Sequence, residues 1–498
     1  MKEQLTVGQV LSRAFALLEA GRVAESRHLA RTLESQRPEP TGLPYLLGLL
    51  ALAEGQGRKA AQHLARALAQ TPGALPPLLA LARAQALQSR ATQAGTAYRL
   101  VLALAPDLAA GWSELADLLL QQGDFSAALI PLLRTLRLAP PRPALLNNLG
   151  IAARAAGRAA LAERSFSAAI LLDPGSAKSY ANRAGLRRHR QDQASPDAMR
   201  AVRLAGGDPA LHLELGQALL QEGNKKSALA EFLLAADLLP DQPEPLWLAA
   251  EALRRLGREG EAASHYRRIL ALDAEDRLGA RLALAQLGQG DVPERAAAAH
   301  VRALYDQYAG SFERNLLGEL AYRGPEIILD GLRRAGLRAP LDIFDAGCGT
   351  GLMGQAIKGW ARRLDGADLS AKMVAQAESR GIYDSLAVGD LLPLLQARPA
   401  RYDLVVAADV LIYLGDLHAV AEAAFTALRP GGVFAFTVER SDDQPFRLQP
   451  SGRFAHSADH LRQVAADQGY DLALCEPVST RTENNRPVAG LLCILRKR

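Results

Sequence analysis

The sequence predicts a multidomain chain: an all-α helical-repeat array, then an α/β, Rossmann-like domain on a seven-stranded, mostly parallel sheet. Three observations predict it. Prolines recur every 34 residues through the first part of the chain. Beyond Asp342, apolar strand-like runs alternate with helical stretches, as a βαβ series requires. Where the first of these runs ends, a glycine-rich turn opens a helix. At 498 residues the chain is also too long for one core. The boundaries read from these signals are 1–290 for the repeat array, 291–335 for a linker and helical cap, and 336–498 for the α/β domain.

The array comes first. Pro38, Pro72, Pro106, Pro140 and Pro174 keep one register, and Gly21, Gly55, Gly123 and Gly157 each stand 17 residues before one of them. Ala60, Ala94, Ala128 and Ala162 stand 12 before. The stretches between carry helical periodicity, as in LPYLLGLLALAEGQG and RKAAQHLARALAQTP. Each unit therefore reads as two antiparallel helices. Glycine ends the first in a turned backbone, proline closes the second, and the small residues let the pair approach closely. The segment 177–209, with RRHRQDQASPD, departs most from the pattern and reads as an irregular or extended unit. This pattern resembles the tetratricopeptide repeat, in about seven or eight units over 7–290. The resemblance implies a right-handed superhelix whose concave face takes a protein or peptide partner.

Composition narrows the function classes. A net charge of +5 is small for this length, and no Lys/Arg run is interleaved with aromatics, so no nucleic-acid partner is expected. Cys348, Cys475 and Cys493 lack metal-ligand spacing, so no metal is expected, and their odd number suits a reducing compartment. The N-terminus has no continuous apolar core of a signal peptide, and no apolar run approaches the ~20 residues that span a bilayer. The expectation is a cytoplasmic protein with no membrane partner.

The α/β domain carries the chemistry. Its strands are placed at LDIFDAG, RRLDGADLS, YDSLAVGDL, YDLVVAADV, GGVFAFTVE, DLALCEP and AGLLCILRK, the last two as an antiparallel pair. A ligand belongs at the carboxyl ends of the early strands, and four features stand there. Asp345, Gly347, Cys348, Gly349 and Gly351 form a turn in which the backbone can pass close to a ligand, beside free amides of a helix N-terminus. Asp368 ends the second strand, where a carboxylate can accept both hydroxyls of a ribose. Asp390 and Leu391 follow the third strand, where carboxylate and amide can read an adenine edge. Asp409 follows the fourth, beside the reactive end of such a ligand.

In that order, these features resemble class I S-adenosylmethionine-dependent methyltransferases across 300–498. Nearly the whole chain is similar to a bacterial group of predicted methyltransferases that carry tetratricopeptide repeats. The resemblance implies S-adenosylmethionine as cofactor. Asp345, Gly347, Cys348 and Gly349 would line its methionine part, with Gly351 also in the cofactor site, Asp368 would bind its ribose, and Leu369, Met373, Asp390 and Leu391 its adenine, with Asp409 at the amine or methyl. A nicotinamide dinucleotide is the competing ligand, because Gly349, Gly351 and Gly354 also satisfy GxGxxG. The acidic residue before the glycines, GDL and the antiparallel end favour the methyl donor.

Around the pocket, the resemblance implies a lid from HVRALYDQYAGSFERNLLGELAYRGPEII, with Tyr305, Tyr308 and Phe312 in it and Tyr308 on the cofactor carboxylate. Tyr322 and Arg323 are substrate candidates, as are Arg453 and Arg481 in later loops with Glu483, and the arginines suit a carboxylate-bearing acceptor. His456 is the candidate general base, and Tyr413, four residues after Asp409, a wall of the acceptor pocket. The expected function is methyl transfer to an acceptor recruited by the array. The competing reading is a non-catalytic adaptor that only binds S-adenosylmethionine or S-adenosylhomocysteine.

Overall fold

The computed structural model describes residues 6–34, 39–310, 312–313, 316, 318, 320–483 and 486–498. Pro38 of the repeat register and Ser311, Arg314, Asn315, Leu317 and Glu319 of the expected lid lie outside the described residues. The chain forms two compact units, Met1–Asn224 and Lys225–Arg498.

Helices α1 (Val7–Glu19) through α13 (Pro209–Gln221) make up the first unit, and successive helices pair as the register requires. Gly123 and Gly157 turn the chain between paired helices at φ of 75° and 70°, a region that glycine enters without steric cost. Ala60, Ala94, Ala128 and Ala162 are all fully buried, which is what close helix approach demands of that position. The departing segment holds an ordinary pair, α11 (Ala177–His189) and a shortened α12 (Ser195–Leu204). Glu222 stands in for a cap at the start of α12, accepting from the Ala194 and Ser195 amides at 2.9 Å each. Arg183 grips Asp197 through two nitrogens at 2.7 and 2.8 Å.

The second unit begins with α14 (Lys225–Leu238), α15 (Pro243–Arg255), α16 (Glu259–Leu272) and the short α17 (Ala280–Gln286). Then come α18 (Ala298–Tyr308) and α19 (Gly324–Arg334). The sheet region runs β1 (Leu341–Ala346), α20 (Leu352–Ile357), β2 (Ala361–Asp368), α21 (Ala371–Ser379), β3 (Ser385–Val388), α22 (Leu391–Gln396), β4 (Tyr402–Ala407), α23 (His418–Ala427) and β5 (Leu428–Arg440). It ends with β6 (Phe446–Leu448), β7 (Phe454–His456), α24 (Ala458–Asp467), β8 (Tyr470–Val478), β9 (Thr482–Glu483), β10 (Arg486–Pro487) and β11 (Gly490–Lys497). The main sheet has the order β3-β2-β1-β4-β5-β11-β8. Its first five strands are parallel, while β11 is antiparallel to both neighbours, as the sequence pattern predicts.

Wholly apolar strands such as LVVA of β4 are buried on both faces because helices cover both. One core joins Phe344, Val405 and Phe436 to α23 and α24, and another joins Ile343, Val406 and Ile494 to α19 and α20. The order reverses at β1, so the crevice beyond β1, β2 and β4 is where this topology places a ligand. Alternation alone did not reveal the short β6–β7 hairpin, which adds β7 beside the end of β5. No described helix is long and apolar enough to cross a membrane.

Candidate active site

The glycine turn is built by close packing. Gly347, Gly349 and Gly351 have φ of 71°, 53° and 93°, all in the region that favours glycine. A Cβ on Gly347 would lie 2.5 Å from Val410. The Gly347 and Cys348 amides donate to the Ala367 carbonyl at 2.8 and 2.9 Å, which ties the turn to β2. Cys348 is buried, and burial with Asp345 and Asp368 nearby drives its thiol pKa up, so it stays a neutral packing group.

Two carboxylates face this turn. Asp368 accepts from the Gly349 amide at 3.0 Å and the Ser370 amide at 2.9 Å, so the end of β2 holds it in a fixed orientation. Burial raises its pKa, against those hydrogen bonds. Asp345 is almost wholly buried; its Oδ2 accepts from the Tyr383 hydroxyl at 2.7 Å, but its Oδ1 has no hydrogen-bond partner among the described residues. Burial pushes its pKa up to about 7, with Tyr383 and the Gly354 amide opposing and Asp368 reinforcing.

Beside the turn, a cavity opens between the early strand ends and the segment entering α18. Leu369, Asp390, Leu391, Leu392, Val410 and Val420 line the sheet side. Arg295, Ala296, Ala298 and Val301 close the other side, with Tyr413 and Leu414 at the rim. Asp390 caps α22 through the Leu392 amide at 3.1 Å and pairs with Arg295 at 2.8 Å. The Arg295 segment is held like an added strand: the Ala296 amide donates to Tyr413 and the Gly415 amide to Glu294, at 2.9 and 2.7 Å.

Aromatics cover the crevice. The Tyr305 and Tyr413 hydroxyls lie 3.0 Å apart, and the Phe312 ring stands edge-on to Tyr305 at 5.8 Å. Burial raises the pKa of Tyr305, Tyr322 and Tyr413 alike. Asp409, at a φ of 57°, is pinned at the end of β4. Its Oδ1 accepts from Thr437 at 2.7 Å, and its Oδ2 from Thr480 at 2.9 Å and Arg481 at 2.6 Å.

The structure gives several candidate residues surroundings other than those expected. His456 is not a loop residue facing substrate: it lies on β7, fully buried, with Nε2 donating to the Leu414 and Gly415 carbonyls at 2.9 and 3.0 Å. Burial lowers its pKa to about 4, and its second nitrogen is enclosed. Arg453 and Arg481 are not open anion sites, because Arg453 binds Glu439 at 2.7 Å and Glu483 at 2.5 Å, while Arg481 binds Asp409, Glu439 and Glu483. Burial opposes the charge of Arg481, and these carboxylates hold it charged. Arg323 is exposed and paired with Glu326 at 3.0 Å. Tyr308 is 46% exposed at the end of α18, and Tyr305, one turn earlier, is the inward tyrosine. Leu369 lines the cavity, whereas Met373 is fully buried at the start of α21. Tyr383 and Arg295 carried no local signal; each meets its aspartate only through the fold.

Sheet order and site together define a Rossmann-like ligand-binding domain in a chain that begins with helical repeats. Family models agree: a methyltransferase domain matches 344–436, and a tetratricopeptide repeat matches 11–74, 113–179 and 183–243. The chain thus carries tetratricopeptide repeats within 11–243 and a methyltransferase domain over 344–436. It is similar to malonyl-[acyl-carrier protein] O-methyltransferase of Pseudescherichia vulneris, 30% identical over 150 residues, covering 30% of this chain and 57% of that protein. Ubiquinone biosynthesis O-methyltransferase of Paraburkholderia phytofirmans is 31% identical over 104 residues, 20% of this chain and 45% of that one. The chain therefore spans about half the length of the curated relatives it matches. Among solved structures, 1,6-didemethyltoxoflavin-N1-methyltransferase of Burkholderia thailandensis, with 1,6-didemethyltoxoflavin and S-adenosylhomocysteine bound, is similar over 42% of this chain and 92% of that one (TM-score 0.33, 20% identity).

Proposed function

We propose that this protein transfers the methyl group of S-adenosylmethionine to an acceptor bound under the aromatic cover, and that the repeats recruit the acceptor or its carrier protein. One observation carries the reading: among the described residues, Asp345 keeps a buried carboxylate oxygen without a hydrogen-bond partner beside a positive-φ glycine turn, with Asp368 anchored at the end of β2. That arrangement fits a ligand bearing both an amine and a ribose. The apolar cavity at Leu369 and Leu391 suits an adenine base, with Asp390 at its edge.

When bound, S-adenosylmethionine supplies an electrophilic methyl group on a sulfonium. The chain's own residues then bind, orient and exclude water. Asp368 would take the ribose hydroxyls on a carboxylate already oriented by Gly349 and Ser370. Asp345 would meet the amine, whose charge favours its ionised form. Tyr305, Phe312 and Tyr413 would shield the methyl, and Tyr322 and Asp409 would line the acceptor side. Two groups of relatives are O-methyltransferases by name, which favours an oxygen acceptor.

Calorimetric titration of the full chain with S-adenosylmethionine and S-adenosylhomocysteine tests this, beside an NADH control. Micromolar binding of both is expected, weakened about 10- to 100-fold in Asp368→Ala, since hydrogen bonds to a charged group contribute about 1.5–3 kcal/mol. Folded protein that binds neither sinks the enzyme reading.

A further inference from the structure

We infer that Cys475 and Cys493 form a thiol–disulfide exchange site that takes a small-molecule disulfide and closes into a bond between strands. The two residues sit directly opposite each other on the antiparallel pair β8–β11, with their sulfurs 3.3 Å apart. Opposed residues of antiparallel strands have Cα atoms about 4.5–5.5 Å apart, inside the range of about 4.4–6.8 Å that a disulfide bridges. Closure therefore needs a small approach of the two sulfurs and no change of register.

Access is asymmetric, as exchange requires. β8 is the last strand of the sheet, and Cys475 on it is half-buried, whereas Cys493 on β11 is fully buried. Cys475 is also the more acidic thiol: the hydrogen bond from Cys493 lowers its pKa, burial opposes, and Arg462 on α24 lowers it further. Its thiolate attacks one sulfur of the incoming disulfide, forming a mixed disulfide and releasing one small thiolate. Cys493 gives its proton to solvent and attacks the sulfur of Cys475, and the second small thiolate leaves. Two protein thiols are oxidised and one small disulfide is reduced. The third cysteine, Cys348, is buried in the glycine turn away from this sheet pair and takes no part. The bond staples the edge strand that runs on into Thr480 and Arg481, the residues that hold Asp409. This inference does not depend on the methyl-transfer reading.

The test exposes the full chain to oxidised glutathione, then counts thiols in denaturant and maps peptides by mass. The expected result is a fall from three thiols to one, a mass loss of two hydrogens, and one cross-linked peptide joining 475 to 493. Dithiothreitol restores all three thiols. Cys475→Ser keeps its two thiols under the same treatment. Three thiols retained in the wild type, a stable glutathione adduct on Cys475, or a link to Cys348 would overturn the inference. The wild-type map alone decides the matter if the variant folds poorly.

Discussion

Asp345 shows how one residue couples stability to binding. Its folded pKa of about 7 lies above the roughly 3.9 of an unfolded aspartate. A raised carboxyl contributes stability that is present below the unfolded value and lost as pH climbs through the folded one. Asp345→Asn removes that loss. The melting temperature of the variant relative to wild type should therefore rise between about pH 4 and pH 8, as the wild type weakens. Thermal melts across that range check the sign; parallel curves would show that Asp345 ionises freely in the fold. The variant should also lose affinity for S-adenosylmethionine if the amine is its partner. The placement of Asp345, Asp368 and the glycines was legible because they stand at fixed offsets from strand ends. The role of His456 was not: a histidine between a Gly-Arg-Phe-Ala stretch and a serine reads as a loop residue until pairing of β6 with β7 buries it.

At the scale of elements, the segment before α18 acts as a clasp on the cavity. Arg295 reaches Asp390 across 95 positions, and the neighbouring backbone bonds fasten it to Tyr413 and Gly415. The Arg295–Asp390 pair is partly exposed, so it contributes at most about 1 kcal/mol. Arg295→Ala should then weaken S-adenosylhomocysteine binding by less than about tenfold, read as Kd by calorimetry. An unchanged or tighter Kd would mean that Asp390 reads the base without help from Arg295. In the repeats, a Cβ on Gly150 of α9 (Pro143–Ala155) would lie 2.4 Å from the fully buried Phe166 ring of α10 (Ala159–Leu172). Gly150→Ala should cost about 1–3 kcal/mol in chemical denaturation, as overpacking does. Spacing along the sequence does not say which ring fills the space opposite Gly150.

For the whole molecule, the compact units divide at 224/225, and the last helices before α18 pack with the α/β part. Leu282 of α17 shares a cluster with Val301 and Phe454, and the Gln286 side-chain amide donates to the Gln449 carbonyl at 2.9 Å. We therefore propose that the functional boundary at 290 is not a folding boundary. A fragment of residues 225–498 should melt cooperatively and bind S-adenosylhomocysteine. Residues 291–498 alone, with the Phe454 face uncovered, should melt lower or aggregate. Equal melting of the two fragments would refute this.

The sequence by itself determined the two architectures, the succession of sheet strands along the chain with its antiparallel end, and the placement of carboxylates and glycines at the strand ends. These follow from local rules, in which period, turn chemistry and strand-end offsets are all written within a few dozen residues. Only the tertiary structure decided that Arg453 and Arg481 spend their charge on Glu439, Glu483 and Asp409, that Tyr305 rather than Tyr308 turns inward, and that Cys475 meets Cys493. Pairing and burial depend on which distant residues share a space, and neither spacing nor composition carries that information.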